Sequence, residues 1–282
     1  MTTSPVMVVN LKTKSGTDSQ AFLKLYDRCF GTNLRILDGK YTACRAVDED
    51  AFQSFLLQGK IGPFIRELED KNRKSLLPLS ACDFHDDSPD GMARYESALW
   101  YEANEHFNNE TEAYTRLADL QGTSIPRMHA HVCLSLSGRN SDAPKNQLQP
   151  GTENYLDFKG VLMEVITGYN LWDLPTSCAA PADKGEWPGI IQQAVDTAHE
   201  INKRGLILKD SGPRNVVVDQ SSQTPSLIDF AQCLFKDRLF ELLEEMSSSE
   251  DDDNDNEDEW DAETEFWQRV RSLNALRRLV QL

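Results

Sequence analysis

The sequence predicts an α+β protein built from two lobes. Two short segments near the start, residues 6–13 and 20–26, are rich in β-forming residues and are separated by the turn-like stretch KSGTDS. Two long segments, Tyr101–Leu120 and Pro188–Lys203, carry apolar residues at helical spacing. Short extended segments lie between and after these helices, so the predicted order is hairpin, helix, strands and then a mostly helical half.

The N-terminal half begins with the predicted hairpin. Residues 35–96 follow as a mostly helical insertion, because AFQSFLLQ and IGPFIREL have helical apolar spacing between polar, turn-rich stretches. The helix Tyr101–Leu120 is expected to stop before Gly122. Two strands are then predicted within MHAHVCLSL and DFKGVLMEVI, with a polar loop between them.

The C-terminal half is expected to pack around the helix Pro188–Lys203, which starts with proline and is closed by Gly205. The segments LILKD, RNVVVD and PSLIDF predict short strands. The last two are joined by QSSQT and should pair as a hairpin. A disordered acidic loop, residues 247–265, and an amphipathic helix from Phe266 to Val280 complete the chain.

Charge and composition exclude several classes of protein. The 282 residues carry a net charge of −17, but eleven acidic residues lie between Glu250 and Glu265, so the rest of the chain carries −6. This balance disfavours nucleic-acid binding, which needs a basic surface. The chain has no long apolar run and no leader-like start, so we expect no membrane association and a cytoplasmic location with reduced cysteines. The acidic run is expected to be solvated, and binding of a basic partner or of divalent ions is its alternative role.

Four groups of residues have the chemistry that phosphoryl transfer requires. Transfer from ATP needs a cation on the phosphates, oxygen ligands for a divalent metal and a carboxylate that orients the acceptor hydroxyl. LKDSGPRN places Asp210 five residues before Asn215, and LIDFAQ places Asp229 fourteen residues after Asn215. The predicted hairpin would fold Asp229 back beside Asn215, where both could hold Mg²⁺. Lys24 on the second strand supplies a cation, and Glu110 on the first long helix could anchor that lysine.

In these segments the chain resembles the protein-kinase-like superfamily, and most closely its aminoglycoside-phosphotransferase-like and fungal kinase-like branch. LKDSGPRN is similar to the catalytic loop of that family, LIDFA to its DFG segment, and AFLKLYDRCF to the strand with the phosphate-binding lysine. NETEAYTRLADLQGTSIP resembles the helix that carries the glutamate partner of this lysine, and LMEVITG the hinge that holds adenine. The resemblance extends from about Leu11 to Phe235 and depends on the order of these elements.

The resemblance implies a two-lobed protein-kinase-like fold with a reduced N-lobe, residues 1–162, a hinge, residues 163–168, and a mostly helical C-lobe, residues 169–282. It implies ATP and Mg²⁺ as ligands and a hydroxyl of a small molecule or of an atypical protein as acceptor. The implied roles are catalytic base for Asp210, metal ligands for Asn215 and Asp229, phosphate binding for Lys24 with its partner Glu110, the gatekeeper position for Met163, and adenine contacts for Glu164, Val165 and Ile166.

A catalytically inactive pseudokinase is the alternative, binding a partner protein through the 35–96 insertion or the acidic loop. No glycine-rich loop precedes Lys24, Leu208 stands at the histidine of the family's catalytic-loop motif, and Ala231 stands at the DFG glycine. Retention of the charged and amide side chains of these motifs favours the enzyme, because such groups are costly to keep unless they bind something charged.

Each site residue also has a purely structural alternative. Lys24 could be a solvated lysine on an edge strand, and Asp229 could simply end a strand. Glu110 could face solvent, with Glu112 forming the ion pair in its place. The Asp and Asn of the LKDSGPRN loop could serve only the turn, because both residue types favour turn geometry.

Overall fold

A computed structural model gives the fold and describes residues 4–12, 16, 18–31, 34–37, 39–75, 79–135 and 151–247. It is a mixed α+β structure with small antiparallel sheets, so the predicted fold class is confirmed at this level. The chain divides into two compact units. The first comprises Met1–Asn108 and Met128–Met163, and the second comprises Asn109–Arg127 and Glu164–Leu282.

The strands of the first unit are β1 Val6–Lys12, β2 Asp18–Tyr26, β3 Ile36–Leu37, β4 Lys40–Tyr41, β5 Met128–Leu134 and β6 Phe158–Met163. Its helices are α1 Ala46–Leu57, α2 Ile61–Arg73 and α3 Gly91–Arg116, and the last turns of α3 belong to the second unit. The second unit adds β7 Gly168–Asn170, α4 Trp187–Lys203, β8 Leu206–Leu208, β9 Val216–Asp219, β10 Pro225–Leu227, β11 Cys233–Phe235 and α5 Lys236–Ser247.

The main sheet of the first unit has the antiparallel order β1–β2–β6–β5. The predicted N-terminal hairpin is confirmed, and its register places Val6 opposite Lys24. β1 lies at an edge of this sheet, and its apolar residues Val6, Met7 and Val8 are exposed. β2 is a central strand, on which Ala21 is fully buried. The sheet therefore offers a protected position on β2 for a charged side chain.

The 35–96 segment is mostly helical, as predicted, although it begins with the small hairpin β3–β4. Helices α1 and α2 pack against each other where Phe55 meets Phe64 edge-on, with ring centroids 6.2 Å apart. Phe84, in a short 3₁₀ helix after α2, extends this cluster and lies 5.1 Å from Phe64. These aromatic contacts give the insertion an apolar core.

The first long helix begins earlier than the sequence indicates. The apolar spacing predicts Tyr101–Leu120, but α3 occupies Gly91–Arg116 and is followed by a 3₁₀ turn, Ala118–Leu120. The early turns of α3 are buried on nearly every side, and the carboxylate of Glu96 is buried with them. A helix that is buried all round shows no amphipathic period, so periodicity does not reveal its start.

A buried cluster of charged residues joins β2 to the insertion and to α3. Arg28 Nη1 and Arg35 Nη2 both donate to the carboxylate of Glu96, at 2.5 and 2.7 Å. Asp48 lies 3.5 Å from Arg35 Nη2, and Glu49 accepts a bond from Arg28. Arg35 and Glu96 are 1% and 0% exposed, so protein groups replace water around both charges. We call these five residues the arginine cluster.

The second unit is built around α4. The predicted helix is confirmed, and its buried residues Ile190, Ala194, Ala198 and Ile201 recur at intervals of three or four. Gly205 follows the helix with a left-handed backbone, φ 83°, in agreement with its predicted role as the helix stop. Two small antiparallel sheets, β10–β9–β7 and β11–β8, also belong to this unit.

Several predicted features lie outside the described residues. These are the acidic loop from residue 248 onward, the amphipathic helix Phe266–Val280 and residues 137–150 of the predicted polar loop 137–154. Helix α5 forms in a segment for which the sequence predicts no helix. Among the helices that the structure describes, none has both the length and the apolar character needed to cross a membrane.

Candidate functional site

The loop after β8 carries two of the predicted site residues, Asp210 and Asn215. β8 is buried, which anchors the chain before it turns toward Asp210. Pro213–Asn215 forms a 3₁₀ turn, in which the N–H of Asn215 donates to Gly212 O at 2.9 Å. The Asn215 side chain closes the loop, because its Nδ2 donates to the backbone oxygen of Asp210 at 2.7 Å. This bond fixes the amide and leaves its oxygen, a hard ligand, on the opposite side.

The β9–β10 hairpin returns the chain to this loop. Its register places Val216, the residue after Asn215, opposite Leu227, two residues before Asp229. The backbone N–H of Ile228 then donates to the Asn215 carbonyl at 2.9 Å. The predicted hairpin is confirmed, and it brings the backbone at Asp229 next to that of Asn215.

Asp229 has a strained backbone. Its φ of 68° lies in the left-handed region, which costs a residue other than glycine about 1–3 kcal/mol. Among the described residues, Gln223 in the β9–β10 turn is the other non-glycine residue with positive φ. On the C-terminal side of Asp229, Phe230 is buried and packs edge-on against Tyr114, with ring centroids 5.5 Å apart. Strain of this kind persists where the surroundings hold it, and it is concentrated at functional sites.

The last turns of α3 lie beside this segment in the second unit. Asn109 Nδ2 donates to the carbonyl of Ala231 at 3.4 Å. Glu110 is 0% exposed, so the alternative of a solvent-facing Glu110 is wrong. Glu112 is partly exposed and pairs with Arg116 Nη2 at 2.6 Å. Of the two glutamates that compete for the predicted ion pair, Glu110 is therefore the buried one.

The interior around Glu110 carries negative charge. Burial raises the pKa of Tyr114 well above its ordinary value, and the carboxylates of Glu110 and Asp229 raise it further. Burial, and then the charge of Glu110, raises the pKa of Cys233 to about 12. Burial is the larger cause of both pKa shifts, and the neighbouring carboxylates add a smaller contribution from their negative charge.

Arg214 belongs to the same loop and is not among the residues predicted from the sequence. Its Nη2 donates to both carboxylate oxygens of Asp210, each at 2.8 Å. Asn170 Nδ2 donates to the Arg214 carbonyl at 2.5 Å and ties the loop to the end of β7. The bonds to Asp210 raise the pKa of Arg214, so the guanidinium stays charged. The feature of the sequence that could have indicated this contact is the position of Arg214 four residues after Asp210.

Lys24 lies in the first unit, on the central strand β2. It is opposite Val6 of β1 and Val161 of β6, and the residue is 3% exposed. The alternative of a solvated edge-strand lysine is therefore wrong. Its ammonium lies 5.4 Å from the centre of the Tyr26 ring. A buried ammonium requires compensating negative charge or π electrons, and the Tyr26 ring supplies part of this compensation.

The predicted hinge residues lie where the chain passes from the first unit to the second. Met163 is buried at the end of β6, and Glu164 begins the second unit. The Glu164 carboxylate accepts a bond from Arg127 Nη1 at 3.1 Å, and its backbone N–H donates to the Arg127 carbonyl at 2.8 Å. The backbone N–H of Glu164 is therefore engaged within the protein, and the adenine contacts predicted for Glu164, Val165 and Ile166 stay a prediction.

The second unit brings Asp210, Asn215 and Asp229 together on one loop and one hairpin, with Glu110 buried nearby. No family model and no curated protein matches this sequence. Lys24 and Met163 belong to the first unit, where the sheet fixes both of them.

Proposed function

We propose that this protein is an Mg²⁺- and ATP-dependent phosphotransferase with the two-lobed protein-kinase-like fold. The observation that carries the proposal is the backbone of Asp229, which is held in the left-handed region directly beside Asn215. Strain maintained at a carboxylate next to a second oxygen ligand supports a cation-binding role for the pair.

Asn215 and Asp229 are the proposed ligands of Mg²⁺, because amide and carboxylate oxygens are hard donors of the kind that this ion prefers. The ion, when bound, neutralises charge on the phosphates of ATP. Glu110 adds to the negative charge that attracts a cation to this region. Lys24 has the proposed role of binding the nucleotide phosphates, for which a lysine on a rigid central strand is suited.

Asp210 is the proposed catalytic base. Its carboxylate accepts a hydrogen bond from the acceptor hydroxyl, orients that oxygen toward phosphorus and takes the proton as the bond to phosphorus forms. A carboxylate offers about four lone-pair positions, so the two bonds from Arg214 leave positions for the hydroxyl. Asp210 is 31% exposed, which lets a small hydroxylated molecule or a protein side chain reach it.

A pseudokinase is the second candidate, and one observation favours it. Both carboxylate oxygens of Asp210 are bonded to Arg214. If this pair also blocks the approach of a hydroxyl, Asp210 cannot act as a base. The presence of Leu208 and Ala231 in place of the family's histidine and glycine agrees with an inactive protein. The chain would then bind a partner protein through the 35–96 insertion or the acidic loop without turnover.

Turnover and nucleotide binding distinguish the two candidates. The full chain is incubated with Mg²⁺, ATP and a panel of small hydroxylated metabolites and generic proteins, while ADP release and the ATP-induced thermal shift are measured. Asp210→Asn is expected to lose turnover and to keep the thermal shift, because the base acts at the chemical step. Lys24→Met is expected to lose the shift, because it removes the phosphate-binding cation.

The matched control is Asp196→Asn, which neutralises an exposed carboxylate of α4. Among the described side chains this carboxylate bonds only to Gln192, so the variant is expected to keep both turnover and the ATP-induced thermal shift. Wild-type turnover no higher than that of Asp210→Asn, with the thermal shift retained, would favour the pseudokinase. Failure of ATP to shift the wild-type melting temperature would remove ATP from both candidates and leave a partner-binding scaffold.

A further inference from the structure

Two cysteines of the first unit lie side by side although they are fifteen positions apart in the chain. Cys29 follows β2, Cys44 precedes α1, and their Sγ atoms are 3.5 Å apart. Both are partly buried, so a small solute can reach them. All six cysteines of the chain, these two and Cys82, Cys133, Cys178 and Cys233, are free thiols.

The fold holds this pair through Arg35. Its Nη1 donates to the carbonyl of Arg28, the residue before Cys29, at 3.4 Å. Its Nε donates to the carbonyl of Thr42, two residues before Cys44, at 3.0 Å. The N–H of Thr42 returns a bond to the Arg35 carbonyl at 2.9 Å, which closes the β3–β4 hairpin. One buried guanidinium thus fixes both segments that carry the sulfur atoms.

We propose that Cys29 and Cys44 form a reversible intramolecular disulfide when the protein meets a hydroperoxide. The pair needs only a small movement to bond, because the sulfur atoms lie 3.5 Å apart and the Arg35 guanidinium holds both segments that carry them. The proposal is independent of phosphotransfer, since neither cysteine belongs to the proposed catalytic or nucleotide-binding residues.

A metal site is the competing role for this pair. Cys29, Cys44 and Glu49 offer ligand atoms that lie within 4.8 Å of one another. Glu49, however, is already bonded to Arg28, and Arg35 lies close enough to Cys44 to interact with it electrostatically. A divalent cation would have to break the first ion pair and approach two guanidinium groups. A disulfide is neutral and leaves the arginine cluster as it is.

The reaction uses one hydroperoxide per disulfide. Burial raises the pKa of Cys29, so Cys44 is assigned as the first nucleophile. The Cys44 thiol releases its proton, and the thiolate attacks the terminal peroxide oxygen. The O–O bond breaks, Cys44 becomes a sulfenic acid, and the displaced oxygen takes up the released proton and leaves as an alcohol or water. The Cys29 sulfur then attacks Cys44 Sγ. The S–S bond forms, and the hydroxyl group leaves as water with the proton of Cys29.

Mass spectrometry of the full chain tests this proposal. The reduced protein is treated with hydrogen peroxide, alkylated and digested with trypsin without reduction. Cleavage after Arg28, Arg35, Lys40 and Arg45 places the two cysteines in peptides 29–35 and 41–45, which are expected to appear linked. The intact chain is expected to lose about 2 Da and to regain it with dithiothreitol. The melting temperature should rise on oxidation, because the bond restricts the unfolded chain.

Cys29→Ser and Cys44→Ser are each expected to abolish the linked peptides. Cys178→Ser removes an exposed cysteine of the second unit and should leave them unchanged. Oxidation of Cys178 to acids at a peroxide concentration that yields no linked 29–35 and 41–45 peptides would overturn the proposal. So would links found only between separate chains. Stoichiometric binding of zinc chloride that both cysteine variants abolish would assign the pair to a metal instead.

Discussion

Neutralising Glu96 should destabilise the folded protein more than any other conservative change in the arginine cluster. Its carboxylate accepts bonds from Arg28 Nη1 at 2.5 Å and from Arg35 at 2.7 and 2.9 Å. In Glu96→Gln the volume is retained, but the charge is lost and the new amide N–H₂ faces guanidinium donors. Both arginines then keep their charge in a site from which water is largely excluded.

The expected loss is about 3–5 kcal/mol in the free energy of unfolding, the range for removing one partner of a buried ion pair. The matched control is Glu49→Gln. Glu49 also pairs with Arg28, but its side chain is 35% exposed, so water compensates the change and the expected loss is about 1 kcal/mol or less. At about 2 °C per kcal/mol for a chain of this size, the two variants should differ in melting temperature by several degrees.

Urea denaturation followed by circular dichroism measures both losses on the same scale. The midpoint of Glu96→Gln should fall well below that of the wild type, with the slope of the transition unchanged. If Glu96→Gln lies within about 1 kcal/mol of the wild type, or if Glu49→Gln is equally damaging, then burial does not decide the strength of these ion pairs.

Three further predictions concern the ligand site, the pH dependence and the main sheet. Asp229→Asn keeps a residue that tolerates the left-handed backbone but removes the charge of the proposed metal ligand. The Mg²⁺-dependent part of an ATP-induced thermal shift should therefore vanish, while the melting temperature without ATP stays nearly constant. An unchanged thermal shift would exclude Asp229 as a ligand. Burial raises the pKa of Glu102 from 4.5 to about 7, so its protonated form stabilises the fold fully below pH 4.5 and this contribution is lost as the pH rises through 7. Glu102→Gln keeps the acceptor for the Ala81 N–H and should be more stable than the wild type at about pH 8 but not at about pH 5, and equal urea midpoints at both pH values would contradict this. Gly160→Ala should lower the free energy of unfolding by about 1–3 kcal/mol, because a Cβ there would lie 2.8 Å from the Lys24 carbonyl oxygen. Gly189→Ala should not lower it, because no atom lies within 4 Å of a Cβ at that position. Equal melting temperatures of the two variants would contradict this.

Much of the fold is predictable because its signals are local. The β1–β2 and β9–β10 hairpins follow from short β-forming runs on either side of polar turns, and α4 follows from its apolar stripe, its initial proline and Gly205. Asp210, Asn215 and Asp229 are found in the same way, because a loop and a hairpin of fixed length determine their separation. Whether they bind metal and act on a hydroxyl stays a prediction.

The remaining features depend on contacts between distant residues. Charged residues such as Arg28, Arg35 and Glu96 are ordinarily expected to be exposed to solvent. The fold instead buries them together, although Glu96 lies 61 positions from Arg35 and 68 positions from Arg28 in the sequence. Burial of Glu96 also hides the beginning of α3, since a charged residue on the inner face interrupts the apolar period. The contact of Arg214 with Asp210 depends on the geometry of one turn, which residue types alone do not specify.

The position of β1 determines how the protein is expected to behave at high concentration. Val6, Met7 and Val8 are consecutive, apolar and exposed on an edge strand. Such an edge is a template for pairing with a strand of another molecule, and β-forming apolar residues strengthen that pairing. Association through the exposed edge of β1 can therefore precede any unfolding of the chain. A lysine in place of Met7 would oppose it by placing a charge at the edge without touching the buried face of β2.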